Sequence, residues 1–215
     1  MALVAIPLFS EGRKVMTFAE IVAEVALLTR RPDLTDRIES AVRAATLKAH
    51  QSDFFYKDLY EQSVQFVNPA YIQNFLPTDI FPLFRKAKYI RVWNGDDLTG
   101  YPGPFFQFIQ VENSLDAYNN IKTNVFYQAS QLLQCRGDLP IDKILFGAYV
   151  HPTITPAAAY CSWIATEMPW VIIYEACRVI FKSIGRDQEA AEMDRLTAEQ
   201  YSLLKMSYID DAPLT

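Results

Sequence analysis

The spacing of apolar residues changes twice along the chain, and this change restricts the possible folds more than any other feature. Near the start, five apolar residues recur at the spacing of an amphipathic helix: Phe18, Ile21, Val22, Val25 and Leu28. Thr17 and Glu20 form a capping-box pair, so we predict a helix over residues 17–30. Pro32 and Asp33 end this helix and begin a second one, which gives a helical hairpin.

Residues 62–154 have a different pattern, in which proline and asparagine separate runs of β-branched and aromatic residues. Such runs are typical of strands. The predicted strands are Ser63–Val67, Ala87–Trp93, Phe105–Val111, Asn124–Cys135 and Lys143–Val150. A helix is the alternative for Asn124–Cys135, because Gln128, Gln131 and Gln134 have helical spacing. We expect an antiparallel β insertion, either a small sandwich or a curled sheet.

Helical spacing returns after Pro156. Pro169 suits the first turn of a helix, and Gly185 suits the position just beyond its end. Between them runs an apolar stripe: Trp170, Ile173, Tyr174, Cys177, Ile180, Phe181 and Ile184. Asp187 then caps a last helix that reaches about Tyr208. The sequence therefore predicts an α+β fold, a helical bundle from the N- and C-terminal helices with a central antiparallel β insertion.

The expected organisation has five segments. They are an N-terminal arm at 1–16, the helical hairpin at 17–61, the β insertion at 62–154, C-terminal helices at 155–208 that pack with the hairpin, and a tail at 209–215. A chain of 215 residues can bury a core without a cofactor or disulfides. Its hydrophobic fraction of 51% leaves apolar area for contacts with other proteins.

Charge and cysteine content exclude several classes of protein. The net charge of -5 gives no basic surface for sequence-specific binding of nucleic acid, although DNA can pass nearby. Glu167, Glu175 and Arg178 interrupt the longest apolar stretch, so we expect no membrane span. The cysteines are Cys135, Cys161 and Cys177. They form no CxxC pair, and we interpret them as buried thiols in a reducing cytoplasm.

Motifs of the common enzyme classes are missing from the sequence: it contains no GxSxG, HExxH, P-loop or GxGxxG. His50 lies near acidic residues and could act as a base, but we interpret it as a helix-end histidine beside a solvated loop. Asp96 and Asp97 could bind a hard cation, but they are more typical of a turn. Glu167 and Glu175 are interpreted as solvent-facing. We predict no enzymatic activity, cofactor or metal.

Two aromatic segments and the N-terminal arm are candidates for contact with other proteins, because exposed aromatic anchors dominate interfaces. The candidate residues are Phe54, Phe55, Tyr56, Tyr60, Tyr101, Phe105, Phe106, Leu3, Ile6 and Phe9. The alternative for the aromatic segments is that part of each lies in the core.

Five segments at the two helical ends carry a resemblance to a known family. They are Thr17–Val25, Thr29–Leu34, Ile38–Arg43, Met168–Ala176 and Ile180–Gly185. In sequence and order they resemble the head–tail adaptor (connector) proteins of tailed bacteriophages. The β insertion takes no part in the resemblance.

The resemblance implies a structural protein in the neck of the virion, made in the host cytoplasm. Such a protein forms a homo-oligomeric ring, expected to be twelvefold, that links the portal protein to a tail or nozzle protein while DNA passes through its lumen during ejection. It has no enzymatic activity and no cofactor.

Other functions remain open. One is a tail-tube or baseplate subunit, another is a cell-wall hydrolase with an unrecognised site, and a third is a host regulatory module. For the adaptor, the apolar stretch Ala2–Phe9 or the tail Ile209–Thr215 is expected to bind a portal subunit as an added peptide.

Overall fold

The computed structural model describes residues 16–94, 100–115 and 120–209. Its described parts form two compact units. The helical unit lies within Met1–Asp53 and Pro152–Ser207, and the β unit lies within Phe54–His151 and Tyr208–Thr215. The β unit thus begins at Phe54, before the expected boundary at residue 62. The predicted α+β class is confirmed.

Helices lie on both sides of a long β region, as the periodicity predicts. The α-helices are α1 (Phe18–Thr29), α2 (Thr35–Gln51), α3 (Pro77–Ile80), α4 (Trp163–Glu167), α5 (Pro169–Ser183) and α6 (Asp187–Tyr208). The strands are β1 (Leu59–Phe75), β2 (Phe84–Asn94), β3 (Tyr101–Phe105), β4 (Gln107–Phe108), β5 (Val125–Ala129) and β6 (Leu132–Val150). The short helices α3 and α4 were not expected from the sequence.

The predicted start of α1 and end of α5 are confirmed in atomic detail, whereas α2 begins at Thr35, after a 3-10 turn at Pro32–Leu34, and Asp187 is the first residue of α6 and not its cap. Thr17 and Glu20 form the capping box: the Thr17 hydroxyl accepts from the Glu20 amide at 3.2 Å, and the Glu20 carboxylate accepts from the Thr17 amide at 2.8 Å. Arg30 ends α1 in the left-handed conformation with a φ of 54°. Gly185 follows α5 with a φ of 75°, which glycine adopts without strain.

The core of the helical unit is formed mainly by α1, α2 and α5. Its buried apolar residues include Phe18, Ile21, Val25, Ile38, Val42, Ala45, Ile173, Ala176 and Ile180. Most of the predicted stripe residues are buried or partly buried, but Leu28 of α1 and Trp170 of α5 are exposed, at 38% and 40%. Trp170 packs against Tyr174, with their ring centroids 5.3 Å apart.

The β unit contains a six-stranded sheet in which β6 is the central strand. Cys135 of β6 pairs with Gln73 of β1 on one edge and with Phe126 of β5 on the other. Farther along β6, β2 takes the place of β5 on that second edge, and Val92 of β2 pairs with Ile144 of β6. The strand β1 therefore runs along an outer edge of the sheet.

The sheet differs from the prediction in three places. It is mixed and not purely antiparallel, because β4 runs parallel to β5. Asn124–Cys135 is a hairpin that turns at Ser130, whose φ is 56°, so both the single strand and its helical alternative are wrong. Phe105–Val111 is broken between β3 and β4. Neither the turn at Gln128–Gln131 nor the break at Phe106 contains glycine or proline, the strongest turn signals, which is why the sequence did not reveal them.

Phe146 lies at the centre of the core of the β unit and is fully buried. Its ring centroid is 5.5 Å from those of Phe75 and Phe81 and 6.2 Å from that of Phe84. The next residue, Gly147, lies against the ring of Tyr89, which a Cβ atom would approach to 2.6 Å. A glycine is required there because the aromatic ring crosses the strand.

Candidate interaction surface

The first aromatic segment divides between core and surface. Phe55 is fully buried and forms an isolated bridge with Ile209, so its prediction as an exposed anchor is wrong. The extended backbone at this point sends successive side chains to opposite sides. Phe54 is half-buried, and its ring packs against Tyr149 at 4.8 Å. The candidates Tyr56 and Tyr60 are both exposed.

The second segment divides in the same way. Tyr101 and Phe105 are exposed, at 64% and 58%, whereas Phe106 is buried in the core. The prediction for Phe106 is therefore wrong, again because side chains alternate along an extended chain; its amide donates to the Ile90 carbonyl at 2.8 Å. The remaining candidates, Leu3, Ile6 and Phe9, lie outside the described residues.

A larger surface, not predicted from the sequence, lies along β1. This strand has 17 residues, and among the described strands only β6 pairs with it, so its other backbone edge pairs with no described strand. Val67 is 96% exposed, and Tyr71 and Ile72 are also exposed. We call the outer backbone of β1 with these three side chains the β1 edge. It combines backbone groups that no described strand pairs with and apolar side chains.

The other outer strands of the sheet are protected. β3 contains Pro102 and Pro104, which have no amide proton to donate to an added strand, and β4 is two residues long. Proteins commonly block exposed edges with proline, charge or short strands. β1 has one charged residue, Glu61, and its single proline, Pro69, lies where the pairing with β6 is irregular. This near absence of charge in β1 was the sequence signal from which the surface along β1 could have been predicted.

An apolar recess lies in the same unit, where β6 leaves its regular pairing. The register with β1 shifts between Ala70 and Ile72, so Gly137–Pro140 bulge out of the ladder. Leu139, in this bulge, is 71% exposed and lines a cavity of about 450 Å³ together with Phe105. The predicted candidate Phe105 is thus part of a recess that the sequence did not indicate.

The helical unit contains a buried ion cluster around Glu175. This residue is 2% exposed, so the interpretation of Glu175 as solvent-facing is wrong. Its Oε1 accepts from Lys48 Nζ at 2.7 Å and from an Arg178 guanidinium nitrogen at 2.6 Å. Burial raises the pKa of Glu175, but the hydrogen bonds and the attraction of the two cations outweigh burial and hold the pKa below its usual value.

Two other polar residues also differ from the prediction. His50 is buried, not solvated: its Nε2 lies 2.8 Å from the Ser162 hydroxyl, and its ring packs edge-on against Trp163. Ser162 also caps α4, so His50 supports the start of that helix. Cys161 is exposed, whereas Cys135 and Cys177 are buried as expected. Burial raises the pKa of the Cys177 thiol to about 12, which makes it unreactive.

The hydroxyl of Thr197 on α6 is buried and has no hydrogen-bond partner among the residues that the structure describes. It lies beside a cavity of about 320 Å³ that Lys48, Glu175 and Tyr201 also line. We expect Thr197→Val to raise the free energy of unfolding by about 1 kcal/mol, because valine has the same shape and removes the unsatisfied hydroxyl. Urea unfolding followed by circular dichroism measures the change.

A matched control is Thr46→Val on α2. Thr46 is equally buried, but its hydroxyl donates to the Val42 carbonyl at 2.8 Å and lies 2.8 Å from the Tyr160 hydroxyl. This variant should lose about 1–2 kcal/mol. Destabilisation by Thr197→Val as large as that of the control would mean that the Thr197 hydroxyl has a partner in solution.

Residues 16–94, 100–115 and 120–209 contain no group of three His, Cys, Asp or Glu side chains placed to hold a metal ion. Asp96 and Asp97 lie outside them. None of the helices in this part of the chain is both long and apolar enough to cross a membrane. No family model matches the sequence, and no curated protein matches it significantly.

Proposed function

We propose that this chain is the subunit of a bacteriophage head–tail adaptor, a ring beneath the portal that links the capsid to the tail. The observation that carries the proposal is the β1 edge: a 17-residue outer strand with a single charged residue, Glu61, and with Val67 96% exposed is suited to burial against another subunit. The segments that resemble the adaptor family contribute to α1, α2 and α5, which form the core of one unit.

Electrostatics support the passage of DNA without tight binding. The net charge is -5, and α6 carries exposed acidic side chains, among them Asp187, Glu189 and Glu199. Acidic groups on the wall of a channel repel phosphate, so DNA would slide past them. The expected partners are copies of the chain in a twelvefold ring, the portal protein and a tail or nozzle protein, in the neck of the virion.

The alternatives receive less support. A tail-tube or baseplate subunit would be mainly β, whereas the helices here form a core of their own. A cell-wall hydrolase was expected to use His50 or a carboxylate pair in a deep pocket. His50 is 1% exposed and hydrogen-bonded to Ser162, and Glu175 is neutralised by Lys48 and Arg178.

The test is to mix the purified chain with the portal ring encoded in the same genome. Native mass spectrometry and negative-stain microscopy should show a ring of added mass on the portal. Val67→Lys should reduce ring formation at least tenfold, because it places a charge on the β1 edge. Met206→Lys is the matched control, since Met206 on α6 is 81% exposed. A portal that stays bare with the natural chain would overturn the proposal.

A further inference from the structure

The β1 edge has less protection than the other outer strands of the sheet: its protection is limited to one charge, Glu61, and to Pro69, which lies where the pairing with β6 is irregular. An open edge of this length has a row of amide and carbonyl groups that pair readily with any extended segment. Such an edge is a liability unless it is covered in the working state of the protein. The strand itself contains none of the lysines that commonly prevent edge pairing: Glu61 is the single charge in Leu59–Phe75.

The side chains on the β1 edge determine what kind of segment can bind there. An added strand forms backbone hydrogen bonds and packs its side chains against Val67, Tyr71 and Ile72, so it should be apolar and uncharged. Residues 2–9, with the sequence ALVAIPLF, meet this requirement and contain one proline. The other end of the chain does not: residues 210–215, DDAPLT, begin with two adjacent aspartates.

Residues 2–9 are also long enough to cover part of β1. Residues 10–16 separate this apolar segment from Thr17, the cap of α1, and seven residues span at most about 25 Å when extended. Eight residues in a strand cover about 26 Å, roughly half the length of a 17-residue strand. One apolar segment can therefore cover the part of β1 that carries Val67 and Tyr71.

We propose that residues 2–9 of one copy add as a strand to the β1 edge of a second copy. This inference rests on the proposed function, in which copies assemble into a ring. The donor and the acceptor are different parts of the chain, so the contact is head-to-tail, and contacts of this type close into rings by rotation. The apolar arm then links neighbouring subunits and not, as the sequence alone suggested, the chain to the portal.

Disulfide trapping between two tagged variants tests the inference. Both carry Cys161→Ser, which removes the exposed native thiol. One adds Val4→Cys and a larger tag, and the other adds Val67→Cys or Tyr71→Cys. The two are mixed in equal amounts with the portal ring and oxidised. We expect a disulfide between the two tagged chains on a non-reducing gel, at least tenfold more than with Met206→Cys as the second variant.

Each result separates the inference from the proposed function. A ring on the portal without a disulfide to either β1 position would overturn the inference and leave the adaptor proposal intact. A disulfide between copies with a bare portal would support the inference and overturn the adaptor proposal. The remaining case is that residues 2–9 bind the β1 edge of their own chain. A double variant, Val4→Cys with Val67→Cys, tests this case: a disulfide within one chain, with none between chains, overturns the inference. Unchanged melting temperatures show that the variants fold.

Discussion

Replacing Phe146 with alanine should lower the free energy of unfolding of the β unit by about 3–5 kcal/mol. The residue is fully buried, and its ring contacts those of Phe75, Phe81 and Phe84. Truncation removes the largest apolar group from the centre of the sheet and leaves a cavity that the central strand β6 cannot collapse to fill. Urea unfolding followed by circular dichroism measures the loss.

The matched control is Phe105→Ala on β3. The chemical change is the same, but Phe105 is 58% exposed. Its ring centroid lies 4.2 Å from Arg91 Cζ and 5.6 Å from the ring centroid of Tyr89. Its replacement should cost about 1 kcal/mol or less. Equal losses for the two variants would contradict the placement of Phe146 at the centre of the core. Because the chain has two units, the transition should be tested for more than one step.

Replacing Glu175 with glutamine should lower stability by about 2–3 kcal/mol at neutral pH. The change leaves Lys48 and Arg178 without the carboxylate that binds both. Removing one partner of a fully buried ion pair costs about 3–5 kcal/mol, but Lys48 is half exposed, and water compensates part of the loss. Chemical unfolding of the two proteins at pH 7 gives the difference.

The difference should depend on pH in a defined direction. The folded-state pKa of Glu175 is held below its ordinary value of 4.5, so the ionised form is favoured by folding. Its stabilisation is complete above pH 4.5 and is lost as the pH falls through the folded-state pKa. The natural protein and Glu175→Gln should therefore converge in stability below that pKa. A gap that stays constant down to acid pH would rule out this account.

An exposed pair on α6 provides the control for the pH experiment. Glu192 is hydrogen-bonded to Arg195 at 2.8 Å, and that bond lowers its pKa, but both side chains are more than half exposed. Solvent and salt screen such a pair, so Glu192→Gln should change stability little at any pH. A pH-dependent loss as large as that of Glu175→Gln would show that burial is not the cause.

Local sequence predicted the helical unit well because its signals act over a few residues. The capping box of Thr17 and Glu20, the break at Pro32 and the left-handed Gly185 each lie where their chemistry requires. The apolar spacing also identified Ile38 and Ile173 as buried. Only the contacts between helices could show that Glu175 is buried, because its partner Lys48 lies on a distant part of the chain.

The sequence by itself determined the fold class, the helix ends and most of the apolar faces. These depend on hydrogen bonds and side-chain spacing within one or two turns. The tertiary structure decided which strand lies at the edge of the sheet, and which member of each aromatic pair, Phe55 or Phe54 and Phe106 or Phe105, lies inside. Strand order and facing are set by pairing between residues far apart in the chain, and no local pattern specifies them.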